Sequence, residues 1–302
     1  MGTSQSESNL HVHVPVMLEE VLRLLNPQVG EVMLDGTVGL GGHAMAIAKR
    51  LGPTGLVIGL DRDAESLERA REALAGLPCR LLHRDYTEAQ EVLEELGVNR
   101  VDGVLYDLGA SQYQLKDPER GFSFTNDGPL DMRMDRSRGP TAADLVARLS
   151  ERELEQLIRE FGEERYARRI ARRIANERKR APIRTTGDLA RLIASAVPRS
   201  GRIAPQTRTF QALRIAVNRE LDCLRQALEG VDSLLRPGGR VVVISFHSLE
   251  DRLVKQAFRR KADEGVLELL TKKPVRPSAE EVARNRASRS ARVRAARKVA
   301  DR

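Results

Sequence analysis

Along the first third of this chain, short apolar runs alternate with stretches of helical spacing. Val32 to Leu34 is an apolar run closed by Asp35, and Leu56 to Leu60 is a second, closed by Asp61. Arg80 to His83 runs up to Asp85, and Val101 to Tyr106 ends at Asp107. Between and before them, Met17 to Leu25, His43 to Leu51 (stopped by Gly52), Ala64 to Leu74 and Thr87 to Leu96 repeat apolar residues at helical intervals. Strand and helix in strict alternation predict a parallel sheet with helices wound on both faces. The alternation stops near Leu115. Ala142 to Leu149, Glu151 to Phe161, Glu164 to Glu177 and Thr186 to Val197 all read as helices, with Thr186 and Asp188 as caps or near-caps. One long helix, Phe210 to Leu235, is then expected from apolar residues at 213, 217, 221, 224, 228, 231 and 235. A turn, Arg236-Pro-Gly-Gly239, leads into a fifth strand, Arg240 to Phe246. The fold class predicted is α/β: a doubly wound, Rossmann-like sheet from residues 1–114 and 209–302, interrupted by an all-helical insertion at 115–208. Residues 1–10 are polar and are expected to be disordered.

The first β-α-β unit carries the clearest chemistry. From Val32 to Asp63 it reads VMLDGTVGLGGHAMAIAKRLGPTGLVIGLDRD. Glycines at 36, 39, 41 and 42 let a backbone pass close to a ligand, and a helix N-terminus follows that favours a carboxylate. Asp61, 22 residues after Gly39, is placed to accept from ribose hydroxyls and is preferred to Asp63, which stands at the start of the next helix. The glycines do not form GxGxxG, and Asp35 precedes them. That favours S-adenosylmethionine over a dinucleotide. His43 either lines the pocket or caps its helix. At the end of strand three, Asp85 is a candidate acceptor for the adenine amine and Tyr86 a stacking ring. The alternative is an N-cap followed by a surface tyrosine.

Strand ends four and five face the acceptor in such a sheet. Asp107 in Asp107-Leu-Gly-Ala110 is expected to orient an exocyclic amine and take up its positive character, or else to hold the loop. Gln114 is near enough to join the pocket. In Ser245-Phe-His-Ser-Leu-Glu-Asp-Arg252, Ser248 and Asp251 make a capping box. His247, with Ser245 beside it, is left to contact a base or phosphate or to satisfy the loop. The segment 121–135 is rich in glycine and polar residues. Phe122 and Phe124 are candidates to stack on a flipped base or to anchor the insertion, and Arg133 and Arg136 are candidates for phosphate contacts.

Composition narrows the class. The net charge is +8, yet residues 251–302 hold 16 Lys or Arg against 7 Asp or Glu, so the first 250 residues are nearly neutral. A basic C-terminal segment points to RNA or DNA, the plain alternative being a solvated tail. Cys79 and Cys223 have no metal spacing, so no metal is expected, and they fit a reducing compartment. No stretch reads as a membrane span or signal peptide, so the expected location is the cytoplasm. Neither cysteine suits covalent attack on a pyrimidine ring, so if the chain methylates a nucleic acid, an amine is the expected acceptor rather than a ring carbon.

The motifs together resemble the bacterial ribosomal RNA small subunit methyltransferase H family, also called MraW. The resemblance spans about residues 11 to 300. It includes His13-Val-Pro-Val16, Leu34-Asp-Gly-Thr-Val-Gly-Leu-Gly-Gly-His43, Gly59-Leu-Asp-Arg-Asp63 and Asp107-Leu-Gly109. Arg120-Gly-Phe-Ser-Phe124, Gly128-Pro-Leu-Asp-Met-Arg-Met-Asp135 and Phe161-Gly-Glu-Glu-Arg165 continue it. Thr209-Phe-Gln-Ala-Leu-Arg-Ile215, Ile244-Ser-Phe-His-Ser-Leu-Glu-Asp-Arg252 and Arg289-Ser-Ala291 complete it. It implies a class I methyltransferase sheet with a helical substrate-recognition insertion. The implied reaction moves a methyl group from S-adenosylmethionine to the N4 amine of a cytidine in the decoding region of small-subunit (16S) rRNA. Family cofactor positions fall on Gly41, Gly42, His43, Asp61, Tyr86, Asp107 and Gln114, which favours Tyr86 over Asp85. Asp107 and His247 are the expected catalytic residues. Arg133, Arg136, Arg208 and the basic C-terminal segment are the expected rRNA contacts. The chain departs from the family at Ala110, Tyr113 and Lys116, and it lacks a histidine before Thr207-Arg208. Two rival classes are a non-enzymatic ribosome-assembly RNA-binding protein and a nicotinamide-dependent oxidoreductase, the latter disfavoured for want of a Tyr-x-x-x-Lys pair. A homodimer through the insertion or the long helix is compatible with the pattern.

Overall fold

The computed structural model describes residues 14–198 and 204–300. His13 of the first family motif therefore lies outside the described residues. The helices, in chain order, are α1 (Leu18–Leu25), α2 (Gly42–Leu51), α3 (Ala64–Ala73), α4 (Ala89–Glu95), α5 (Gln112–Lys116), α6 (Ala142–Arg148) and α7 (Glu151–Gly162). They continue as α8 (Ala167–Glu177), α9 (Thr186–Ala196), α10 (Pro205–Asn218), α11 (Glu220–Leu234), α12 (Ser248–Asp263) and α13 (Ala279–Arg284). The strands are β1 (Val32–Asp35), β2 (Leu56–Asp61), β3 (Cys79–His83), β4 (Val101–Asp107), β5 (Leu235–Ser245), β6 (Leu267–Leu269) and β7 (Arg292–Lys298).

They form one sheet in the order β3-β2-β1-β4-β5-β7-β6. The first five strands run parallel, as the alternation requires. β7 runs antiparallel between β5 and β6. Successive residues of the inner strands face opposite layers. Leu34, Ile58 and Val104 pack with Val92, Leu228, Val231 and Phe258 of α4, α11 and α12. Met33, Val57 and Leu105 pack with Leu25, Ile47 and Ala70 of α1, α2 and α3. The order of connection reverses at β1, which pairs with β2 on one side and β4 on the other. Ligands bind at the carboxyl ends of strands at such a reversal.

A third apolar cluster lies outside the sheet. Val146, Leu154, Ile158, Ile170, Ile174, Leu189 and Ile193 gather from α6 to α9, with Phe210 and Leu213 of α10. α10 thus packs in the helical lobe and crosses the 208/209 position read as a boundary in the sequence. The lobe is tied to the sheet by one buried cation. Arg120 has no exposed surface, and its Nη1 donates to Asp63 Oδ2 (2.9 Å) while its Nη2 donates to the carbonyls of Arg133 (3.2 Å) and Met134 (2.9 Å). Asn218 adds a second tie. Its amide bonds Met132 O and Met134 N (both 2.8 Å), and its own carbonyl accepts from Arg62 (2.8 Å).

Four expectations are corrected. The helix expected from Phe210 to Leu235 is two helices, broken where Arg219 turns left-handed (φ 51°) beside Asn218. α9 is capped by Thr185, whose side chain accepts from Asp188 N, and not by Thr186 or Asp188. The capping box of α12 is His247 with Glu250, one residue before the Ser248–Asp251 pair. The basic C-terminal segment is no solvated tail: Val293 and Ala295 are core, and the buried Arg294 donates to Asp251 Oδ1 (2.7 Å). Arg297 pairs with Glu268, and Lys298 donates to the Asp232 carbonyl (2.9 Å). The cations of β7 are thus committed within the fold, whereas Lys255, Arg259, Lys272, Lys273, Arg276, Arg286 and Arg289 of the same segment stay exposed.

Arg120→Met should lower the unfolding free energy by about 3–5 kcal/mol, because it leaves the buried Asp63 carboxylate without its cation. Urea denaturation followed by circular dichroism checks this. An unchanged midpoint would mean that the Arg120–Asp63 pair does not hold the lobe to the sheet.

Candidate active site

A cavity of about 440 Å³ opens at the carboxyl ends of β1, β2, β4 and β5. That volume suits a small molecule with room to spare. The glycine loop forms one wall and is pinned through its own backbone. Gly36 N donates to Leu105 O and Val38 N to Leu60 O (both 3.0 Å), so the loop spans the two strands flanking β1. Gly36 has to be glycine, since a Cβ there would stand 2.5 Å from the Tyr106 ring and 2.9 Å from Tyr86 Cβ. Gly41 is left-handed (φ 86°) and is the N-cap of α2, offering no side chain. Gly42 opens α2 at the cavity wall, where a helix N-terminus favours an anionic group of a ligand.

Three aspartates end adjacent strands here. Asp61 accepts from Gly39 N (Oδ2, 2.7 Å) and Asp63 N (Oδ1, 2.8 Å). Burial outweighs these bonds and pushes its carboxyl up to about 6. Asp35 is buried; its Oδ1 accepts from Thr37 N (3.1 Å), and its Oδ2 has no hydrogen-bond partner among the described residues. Burial first, and the charge of Asp61 after it, push Asp35 up to about 7. Asp107 is raised well above the usual carboxylate range, chiefly by burial and then by the charges of Asp35 and Glu250. Its side chain keeps 23% exposure into the cavity, while Oδ1 is covered and without a partner. His43 bridges two parts of the site. Its Nε2 lies 3.0 Å from the Val16 carbonyl, which can only accept, so Nε2 carries the proton. Its Nδ1 then faces Asp107 Oδ2 at 3.6 Å.

Gly39, Gly42, His43, Asp61, Tyr86, Asp107, Gln114 and His247 all line this cavity. Within that group the detail differs from expectation. His43 lines the pocket and is not the cap. Tyr86 is buried against Tyr106 (ring centroids 5.3 Å apart), so it is no surface tyrosine. Asp85 is the N-cap of the turn 86–88 and pairs with Arg62, so it is withdrawn as an adenine acceptor. Asp63 caps α3 and holds Gln114 and Arg120, which leaves Asp61 as the strand-end acid facing the cavity. Gln114 has its amide occupied by Ser111 N (2.9 Å) and Asp63 (2.7 Å); it braces the loop after β4.

The proposed substrate contacts fare worse. Phe122 and Phe124 sit in the helical cluster, Phe124 edge-on to Phe210 at 5.2 Å. They anchor the lobe and are not free to stack on a base. Ser245 is buried in the sheet, its hydroxyl donating to Arg292 O (3.3 Å). Arg133 is closed onto Asp131 by two bonds (2.8 and 2.9 Å). Arg136 lies near Glu65 (3.5 Å), and Arg208 donates to Glu163 O (3.1 Å), each with an exposed remainder. Arg214, Glu220 and Glu250 also line the cavity and went unnoticed in the sequence. Their signal lies in pairing across the fold, although Arg214 stands inside a motif quoted for the resemblance.

The strand order with an antiparallel β7, the glycine loop and the acid ending β2 define a Rossmann-like methyltransferase of class I. The chain belongs to the MraW methylase family, whose family model matches residues 10–299. It is 51% identical to a ribosomal RNA small subunit methyltransferase H from Syntrophotalea carbinolica, over 95% of this chain and 98% of that one. Proteins of the same name from Geobacter sulfurreducens (51%, covering 95% and 99%) and Acidobacterium capsulatum (48%, covering 95% and 98%) are similarly close. Among the described residues, no helix is long and apolar enough to cross a membrane.

The raised Asp35 carboxyl has a consequence for stability. A folded-state value near 7 against an ordinary 3.8 means the folded chain binds the extra proton between those limits. Stability of the cofactor-free protein should therefore fall as pH rises from about 4 to 7. Asp35→Asn should flatten that slope. Parallel wild-type and variant curves in urea at pH 5 and pH 7.5 would exclude Asp35 as its source.

Proposed function

We propose that this protein transfers a methyl group from S-adenosylmethionine to the N4 amine of a cytidine in the decoding region of small-subunit (16S) rRNA. The observation that carries this reading is the carboxylate of Asp107, facing one cavity with a glycine cradle and the ribose-type acid Asp61. The cofactor fits the residues present: Gly39, Gly41, Gly42 and His43 supply a close backbone and helix N–H groups, and Tyr86 supplies an apolar wall. When bound, it supplies a methyl group on a sulfonium, which leaves as a neutral thioether.

The acceptor amine gains a methyl and must lose a proton. Asp107 accepts from the amine and so orients its lone pair, and its raised basicity fits it to take the proton as the new bond forms. His43 Nδ1, 3.6 Å from Asp107 Oδ2, is placed to accept the proton that Asp107 takes up. No nucleophilic intermediate is needed, in keeping with cysteines that lie off the cavity. His247 is committed as the cap of α12, with Nδ1 accepting from Glu250 N (3.4 Å), and takes no proton-transfer role here.

The helical lobe, residues 115–208, serves in this reading as the substrate-recognition part. Its support is α8, which buries Ala167, Ile170, Ala171 and Ile174 and turns Arg168, Arg169, Arg172 and Arg173 to solvent along an open groove. Glu151 and Glu177 approach only Arg172 and Arg173, at 3.5 and 3.9 Å. Such a ridge suits the phosphates of rRNA, and the exposed cations of the C-terminal segment, such as Lys272, Lys273 and Arg276, can add to it. The protein would work in the cytoplasm, on an assembling or complete small subunit.

The test is methyl transfer from labelled S-adenosylmethionine to small subunits from cells lacking this protein, with the product nucleoside identified by mass. N4-methylcytidine is expected. Cofactor binding without transfer would move the reading to another substrate, and neither would favour an assembly protein. Asp107→Ala should reduce transfer at least 100-fold; near-normal turnover would remove Asp107 from the mechanism. Arg168→Gln with Arg172→Gln should raise the KM for subunits and flatten its salt dependence by about two phosphate contacts. Unchanged KM and slope would clear α8 of contact with RNA.

A further inference from the structure

Four ionisable side chains crowd the wall of the cavity around the loops after β4 and β5. Arg214 of α10 donates to Glu220 through Nε and Nη2, both at 2.9 Å. Glu220, His247 and Glu250 bring ligand-type atoms within 4.8 Å of one another. Three such groups invite a metal, but Glu220 already receives two bonds from a guanidinium, so the cation this cluster holds is Arg214. Glu250 is equally committed: its carboxylate accepts from Phe246 N (2.8 Å) and His247 N (3.2 Å). Burial raises its pKa, but His247 and Arg214 outweigh that and keep it ionised.

One donor remains. Arg214 Nη1 has no hydrogen-bond partner among the described residues, while the two-bonded clasp of Glu220 fixes the plane of the guanidinium. The clasped head faces the loop after β4. A Cβ on Gly109 would lie 3.7 Å from Nη1 and from Nη2, and 3.8 Å from the Phe246 ring. Gly109 is left-handed (φ 89°) and stands two residues after Asp107. The same cavity therefore presents an acceptor, Asp107, and a pre-oriented cationic donor, Arg214.

We infer that Arg214 is a specificity-determining residue, donating from Nη1 to the O2 acceptor on the same edge of the base as the target amine. The inference rests on the N4-cytidine reading above. Cytosine shows, along one edge, an amine donor, the N3 acceptor and the O2 acceptor. Adenine shows an amine and N1, but a C–H where cytosine has O2. Uracil has no amine at all. An acceptor for the amine excludes uracil but cannot separate cytosine from adenine. A donor placed for O2 does so, since adenine leaves that donor unpaired in a buried site. Glu220 is then the positioning residue, fixing the guanidinium without touching the base.

The experiment compares wild type, Arg214→Gln and Arg214→Lys on small subunits carrying either cytidine or adenosine at the target position. Cofactor affinity and thermal midpoint are measured alongside. Wild type should methylate cytidine and leave adenosine almost untouched. Arg214→Gln should lose at least 30-fold in kcat/KM on cytidine, and its preference for cytidine over adenosine should shrink at least tenfold, with cofactor affinity within twofold. Arg214→Lys, which keeps the charge but not the fork, should fall between them. A residue that merely supports the fold would lower both substrates together and leave the ratio intact; that result, or an unimpaired Arg214→Gln, overturns the inference. If Arg214→Gln fails to fold, the ratio for Arg214→Lys decides alone. A wild type that makes no N4-methylcytidine would instead overturn the function proposed above.

Discussion

Everything at the active edge follows from one constraint: Asp35, Asp61 and Asp107 end adjacent parallel strands and cannot all be hydrated or neutralised by cations. Burial raises all three, and each raises or feels its neighbour. The glycine loop is the answer the backbone gives. It brings N–H groups of Thr37 and Gly39 onto Asp35 and Asp61, and the Thr37 hydroxyl accepts from the Asp107 amide at 2.6 Å. Side chains at 36 or 41 would hold that loop off. A site built so is strained electrostatically before any ligand arrives, and a cationic ligand relieves it.

The second organising feature is how a helical lobe is locked onto a sheet without a large shared core. The lobe has its own apolar cluster, and polar hubs hold it at the join. Arg120 reaches from the lobe's first turn to Asp63, the cap of α3, and Asn218 ties the segment 132–134 to the break between α10 and α11. Glu163 adds an exposed link, accepting from Ser248 (2.5 Å) and Arg252 (3.1 Å) at the start of α12. The segment 121–135, read in sequence as a candidate substrate contact, takes part mostly in these fastenings, and Glu163 lies in a motif quoted only for the resemblance.

Much of the fold could be read from the sequence because parallel strands buried on both faces leave continuous apolar runs, here each closed by an acid and separated by glycine-stopped helices. One wall of the cavity was legible for the same reason, since Gly39, Gly42, His43 and Asp61 follow directly from strand ends. What escaped depended on distant partners. β7 reads RVRAARK, and only burial against β5 and β6, with Asp251 and Glu268 as counter-charges, makes it a strand. The break at Arg219 hid because α10 and α11 keep a nearly continuous helical period. Phe122 and Phe124 looked exposed among polar neighbours, but their partners lie on α10 and the lobe's other helices. Arg214 and Arg120 carried no local signal that they were clasped.

The interruption between β4 and β5 also shapes how the chain comes together. Asp107 ends β4 and Leu235 begins β5, so neighbours in the sheet are separated by the whole helical lobe. Helical hairpins such as α7 and α8 close short loops and form quickly, whereas joining β4 to β5 needs a long closure. The lobe's own compaction shortens that closure, bringing α10 and α11 back beside the sheet. β7 pairs with both β5 and β6, so it becomes an interior strand only once β5 stands beside it. The order of assembly thus runs from local helices to distant strands, and the catalytic edge is complete only when the slowest pairing is made.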